Sequence, residues 1–361
     1  MIAVLLALLL VAPQDPALAA RAWQALQARN AAEAQRLFDE LTRATPSDAR
    51  AWVGYAAAAL LAGRDHDARP RLERALALDP ADAEASLLLA DIFFRQARLD
   101  DAVRTLEQAE AAGARGATIA SRLARLRSER DVNAGLRQTG SDRFIVLFEG
   151  APAQDLAAAV VAKLDAAWDR VSRSLFVAPL SAVTVTLYTG EQFVDITRAP
   201  AWAAAAYDGR IRLPVRGALD DAADLERVLT HELAHAFVRA AAPRNIPAWL
   251  DEGIASVMEP RDLRWARDEL ARSGRLLPPA SLMASFRALP AGQARLAYAQ
   301  SALMVRAMID ANGEGALNAL LADLGRGVPF DTAFRNRLFV SWPEFAARFA
   351  SQAGVPYDHG R

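Results

Sequence analysis

Two hydrophobic rhythms divide the chain. Over residues 20–114 apolar positions recur at helical spacing in units of 34 residues: Ala34, Ala68 and Ala102 lie one unit apart, as do Pro46 and Pro80. The middle unit adds Trp52, Tyr55, Gly63, Leu72 and Ala75, and the next adds Leu89, Ala90, Phe93, Leu106 and Ala109. Small Ala side chains let paired helices approach, larger ones fill the gaps between pairs, and each Pro closes a unit because it cannot continue a helix. The period predicts a stack of helix pairs. Residues 117–137 read as one more helix, a cap or linker filling 115–140. The rhythm then shortens to two. RFIVLFEG (143–150) and VTVTLYTG (183–190) predict strands, separated by an Ala-rich helix over 152–175. RIRLPV (210–215) predicts a third strand at a sheet edge, since Pro214 cannot donate to a ladder. Asp220 or Asp221 can cap a helix to about residue 241, and Pro247 opens another to about 258. The chain beyond 262 is helical in pattern, broken by Pro and Gly.

The 34-residue units resemble tetratricopeptide repeats, which implies a solenoid able to bind a partner or substrate protein. Ahead of them, residues 2–12 form an unbroken apolar run, too short for a membrane span of about 20 residues. Followed by Ala17-Leu18-Ala19, it reads as a signal peptide over residues 1–19 and predicts a periplasmic or secreted protein. A net charge of −1 gives no field favouring nucleic acid. The chain has no Cys, so any metal must be held by His, carboxylate or carbonyl groups.

His231-Glu232-Leu233-Ala234-His235 is an HExxH segment on a predicted helix. Residues i and i+4 share one face, so His231 and His235 can reach one tetrahedral Zn²⁺, while Glu232 is placed to act as general base without ligating. A catalytic ion needs a third protein ligand and an open position. The following helix, PAWLDEGIAS (247–256), supplies Glu252 after a turn through Ala242 and Pro243, and Gly253 would let the two helices approach. Asp251 is the rival ligand, or a group accepting from a ligand-ring N–H. Trp249 and Leu250 are expected in the core, and Trp202 is a candidate for the cleft.

HELAH followed by PAWLDEG resembles the gluzincins. More narrowly, LYTGEQF (187–193), YDGRIRLPV (207–215), RVLTHELAH (227–235) and PAWLDEGIA (247–255) look like the peptidase MA-like domains found behind tetratricopeptide repeats in exported bacterial proteins. The resemblance implies an α+β chain: a helical solenoid over 20–114, a zincin-like catalytic domain over 141–261 with a small sheet beside the active-site helix, and a helical C-terminal subdomain and tail over 262–361. It implies one Zn²⁺, hydrolysis of a peptide substrate, and an edge strand above the metal, by position Arg210–Val215, that pairs with extended substrate. The donor to the developing oxyanion is then to be found among Tyr298, Tyr207 and Arg210. Tyr298 is the strongest, since related gluzincins recruit a Tyr from such a downstream segment, although it could equally pack between helices. A different reading is a repeat-bearing scaffold with a degenerate zincin domain.

Overall fold

The computed structural model describes residues 16–96, 98–150, 153–179, 182–189, 206–207, 209–214, 221–243 and 246–357. The apolar run 2–12, Trp202, Asp220, Val215 and His359 lie outside them. Seven helices come first: α1 (Pro16–Gln27), α2 (Ala31–Ala44), α3 (Ala49–Leu61), α4 (Asp65–Leu78), α5 (Ala83–Arg95), α6 (Leu99–Ala111) and α7 (Ala117–Asn133). They stack as pairs. The repeating Ala34, Ala68 and Ala102 are fully buried where neighbouring helices meet. Asp48 and Asp82, one repeat apart, accept from backbone N–H groups of Arg50 and Ala85 and start the first helix of successive pairs. Helix α1 runs through the expected cleavage point, and Leu18 is buried in one core cluster with Phe38 and Leu41.

A five-stranded mixed sheet follows, built from β1 (Arg137–Gly140), β2 (Phe144–Phe148), β3 (Val183–Tyr188), β4 (Ala206–Tyr207) and β5 (Ile211–Pro214) in the order β1-β2-β3-β5-β4. The central pairs β2–β3 and β3–β5 are parallel and the outer pairs antiparallel. Two expectations need correction. The helix predicted over 117–137 ends at Asn133, and Arg137–Gly140 turns back as a strand on β2. The strand at 210–215 is not at the edge: β4 covers it, and Pro214 is tolerated because it is the last residue of β5.

The sheet is covered on both faces. Val183, Val185 and Leu187 of β3, with Ile211 and Leu213 of β5, join the core formed by α8 (Gln154–Leu175) and α9 (Ala222–Ala241). The alternate residues Thr184, Thr186, Tyr188 and Arg212 are also buried, on the face turned to the repeats. There Glu129 of α7 accepts from Arg212 at 2.9 Å and Arg210 at 3.4 Å, with all three side chains at most 2 % exposed. Both guanidiniums also lie over the Phe94 ring of α5. Tyr188 joins through a 3.2 Å hydrogen bond with Arg212, and burial, with the charge of Glu129, pushes its phenol up to about 12.

Helix α10 (Ala248–Met258) returns from α9, and α11 (Arg264–Ser273), α12 (Ala291–Gly325, broken at Gly313), α13 (Phe330–Leu338) and α14 (Trp342–Ala353) form the C-terminal subdomain. Trp249 and Leu250 are fully buried, and Trp249 stacks on Trp342 at 4.6 Å among Phe330, Phe334 and Phe345. Gly253 serves a different contact from the one expected. A Cβ there would lie 2.5 Å from the Ser301 carbonyl, so the glycine admits α12 rather than α9.

Candidate metal centre

Helix α9 begins where Asp221 accepts from the Ala223 N–H at 2.8 Å. Its Leu229, Leu233 and Phe237 are buried in the core, which turns His231 and His235 together toward α10. The two rings stand 4.9 Å apart, nearly perpendicular. Oε2 of Glu252, projecting from α10, is 3.3 Å from Nε2 of His231 and 3.3 Å from Nε2 of His235. Ligand atoms of the three residues all lie within 4.8 Å of one another.

The far side of each ring is held by a second carboxylate. His231 Nδ1 donates to Glu259 Oε1 at 2.8 Å, and His235 Nδ1 donates to Asp251 Oδ1 at 2.8 Å. An ionised carboxylate only accepts, so each Nδ1 carries the proton and each Nε2 is the atom presented to a cation. Asp251 thus occupies the outer position anticipated for it. Glu259 was not anticipated. It lies seven residues beyond Glu252, two turns along the same face and just past the end of α10. That i, i+7 spacing was the available signal. Its side chain is 2 % exposed and anchored by Arg261 at 2.6 Å.

These contacts set the charges. Burial works against charging His231, yet hydrogen bonds to Glu252 and Glu259 hold its pKa up at about 9. His235 is raised well above its usual value against the same burial, by Asp251 and Glu252. Burial alone would raise Glu252, but the two imidazoles hold it far below the carboxylate range. Glu232 goes the other way: burial lifts it, and the nearby imidazoles offset only part of that rise. Its Oε2 is buried and has no hydrogen-bond partner among the described residues.

Of the three candidate oxyanion donors, two reach the site. The Tyr298 ring lies 6.3 Å from the His231 ring and edge-on to Phe286. Its phenol is pushed upward by burial and by the charges of Glu252 and Glu232, so the hydroxyl keeps its proton. Tyr207, on β4, stacks on the His235 ring at 6.4 Å. Arg210 points to the opposite face of the sheet, into the Glu129 cluster. The strand beside the site is therefore β4, at the sheet edge among the described residues, not Arg210–Val215.

Residues 170–339 match the Peptidase MA superfamily, and residues 59–126 match the tetratricopeptide repeat. A comparison with curated proteins finds no match. Helices α4, α5 and α6 fall within the repeat match and the His-His-Glu cluster within the Peptidase MA match, in that order along the chain. The chain carries tetratricopeptide repeats followed by a metallopeptidase-like domain of the Peptidase MA superfamily.

Proposed function

We propose that this protein is an exported, zinc-dependent peptidase. The observation that carries the reading is the convergence of His231 Nε2, His235 Nε2 and Glu252 Oε2 beside the unpartnered, buried Oε2 of Glu232. The donor set suits zinc. Ligands held at roughly 2.0–2.1 Å from a tetrahedral ion stand about 3.4 Å apart, close to the two 3.3 Å separations here. His231, His235 and Glu252 would hold the ion, with Glu259 and Asp251 fixing the two rings. When bound, zinc supplies Lewis-acid polarisation of the scissile carbonyl and brings the pKa of a water to about 7.

Glu232 accepts a proton at Oε2 as water attacks and returns it to the leaving amine. Its raised pKa brings it nearer to neutrality, where transfer in both directions is efficient. The Tyr298 hydroxyl donates to the oxygen on which charge develops. Strand β4, last in the sheet among the described residues, offers backbone groups to an extended peptide, in the manner of strand addition. The apolar run at residues 2–12 supports export to the periplasm or beyond.

The test compares zinc-loaded wild type with Glu232→Gln on a broad library of quenched fluorescent peptides. Cleavage is expected to be lost on chelation, restored by zinc, and lowered about 10²–10⁴-fold in the variant at equal zinc content. Wild type at full zinc occupancy that cleaves no member refutes the assignment. Export is checked with a C-terminal reporter active only outside the cytoplasm, and a silent reporter refutes it.

A further inference from the structure

The metal centre opens into a cavity of about 1860 Å³, nearly twice the roughly 1,000 Å³ at the upper end of small-molecule sites. One wall carries His231, Glu232, His235, Glu252 and Tyr298. The other is made by the repeats: Leu26 of α1, Ala57 of α3, Asp65 at the start of α4, Asp91 of α5 and Arg122 of α7 all line it. The two walls are fixed to each other. A Cβ on Gly63 would lie 2.0 Å from the Pro243 side chain, and one on Gly327 would lie 2.5 Å from Ala31. The Glu129–Arg210–Arg212 cluster closes the junction at α7.

Among the described residues, arginines outnumber carboxylates in the cavity lining away from the reacting groups. Arg29, Arg95, Arg122, Arg125, Arg239 and Arg287 line it. Among the described residues, the acidic lining groups outside the metal centre are Asp65 and Asp91, paired with Arg95 at 2.7 Å and Arg122 at 2.6 Å. Arg239, on α9 one turn beyond His235, and Arg287, whose charge reaches Glu232, are exposed and make no side-chain hydrogen bond or ion pair among the described residues.

We propose that the repeat face and the metal centre form a single substrate groove that selects an extended acidic polypeptide segment, held by Arg239 and Arg287 beside the metal centre while β4 aligns the scissile bond. The proposal rests on the peptidase reading and adds the substrate class. A folded acidic domain fits it less well, because pairing at β4 needs an extended backbone.

The experiment uses full-length, zinc-loaded Glu232→Gln, which can bind without cleaving, and three fluorescent peptides: a Glu-rich extended peptide, its Gln counterpart and its Lys counterpart. Anisotropy should show the Glu peptide binding at least about tenfold tighter than the Gln peptide, about 1.4 kcal/mol, with the gap closing as salt rises. Adding Arg239→Glu or Arg287→Glu should remove most of that preference, and Arg239→Gln should remove part of it. Circular dichroism and zinc content confirm that each variant is folded. Equal affinity for the three peptides, or a preference untouched by both charge reversals in folded protein, overturns the groove. The two readings fail separately. Charge-selective binding without any turnover by wild type sinks the peptidase and leaves the groove, whereas turnover indifferent to flanking charge does the reverse.

Discussion

Replacing Glu259 tests whether the geometry behind the metal ligands matters. The Glu259 carboxylate receives the His231 Nδ1–H at 2.8 Å and is itself held by Arg261 at 2.6 Å, in a site where its side chain is 2 % exposed. Glu259→Gln keeps a carbonyl oxygen that can accept the same hydrogen, so only the charge is lost. A hydrogen bond to a charged partner contributes about 1.5–3 kcal/mol and a neutral one about 0.5–1.5, so the difference is about 1 kcal/mol, or five- to tenfold in zinc affinity. Glu259→Ala removes the acceptor altogether and frees the ring to turn, which belongs at the upper end of the roughly 10–100-fold losses typical of such partners. Neither residue touches substrate, so kcat at saturating zinc should fall far less than the affinity.

Zinc affinity is measured by competition with a chromophoric chelator. Asp251→Asn serves as the matching change behind His235, and thermal unfolding of the zinc-loaded proteins confirms the fold. The expected order is wild type, then Glu259→Gln and Asp251→Asn, then Glu259→Ala. Affinity for all three variants within about twofold of wild type, with intact folds, would refute the view that these carboxylates orient the ligands.

Three further outcomes are expected. Tyr298→Phe should lower kcat about 10²–10³-fold with zinc content unchanged, and unchanged turnover removes Tyr298 from the chemistry. Glu129→Gln removes the carboxylate that two buried guanidiniums share among the described residues and should cost about 3–5 kcal/mol; urea unfolding showing less than about 1 kcal/mol would refute a structural role for that shared carboxylate. Asp323 is held below its ordinary 3.8 by hydrogen bonds from Arg337 and by the nearby Arg326. Its contribution is present above 3.8 and is lost as pH falls through the lowered value, so Asp323→Asn should flatten the acid side of the melting-temperature profile, and an unaltered profile refutes the pairing.

The metal centre was legible in the sequence because most of it is local. His231 and His235 are four residues apart on one helix, and Glu252 needs only a turn and a return helix to reach them. What escaped depends on contacts across the fold. Glu259 sits at the C-terminal cap of α10, where only its i, i+7 spacing from Glu252 pointed to the site, and its contact with His231 depends on how α10 packs on α9. Strand β1 reads RQTG, polar and without alternation, and forms because a tight turn lays it along β2. Arg210 was a candidate donor because the resemblance implies a strand above the metal, by position Arg210–Val215. Alternation alone could not tell which face of the sheet it takes.

The same blindness explains why the sheet looked simpler in sequence than it is. VTVTLY alternates as though one face met water, yet every residue of β3 is buried. The Thr and Tyr positions face the repeats, so a pattern that ordinarily marks a half-solvated strand here marks an interface between two parts of one chain. Burying the guanidiniums of Arg210 and Arg212 with Glu129 is a poor route to stability, since a well-packed apolar contact would serve as well or better. It does impose register. Arg212 meets both Glu129 oxygens, at 2.9 and 3.2 Å, and Arg210 meets one of them and the Phe94 carbonyl, an arrangement with few alternatives in orientation. A groove with one wall on the repeats and the other on the metal centre can align a substrate only if the walls keep that orientation. A Glu129 variant that remains folded should therefore lose its preference for acidic peptides before it loses zinc.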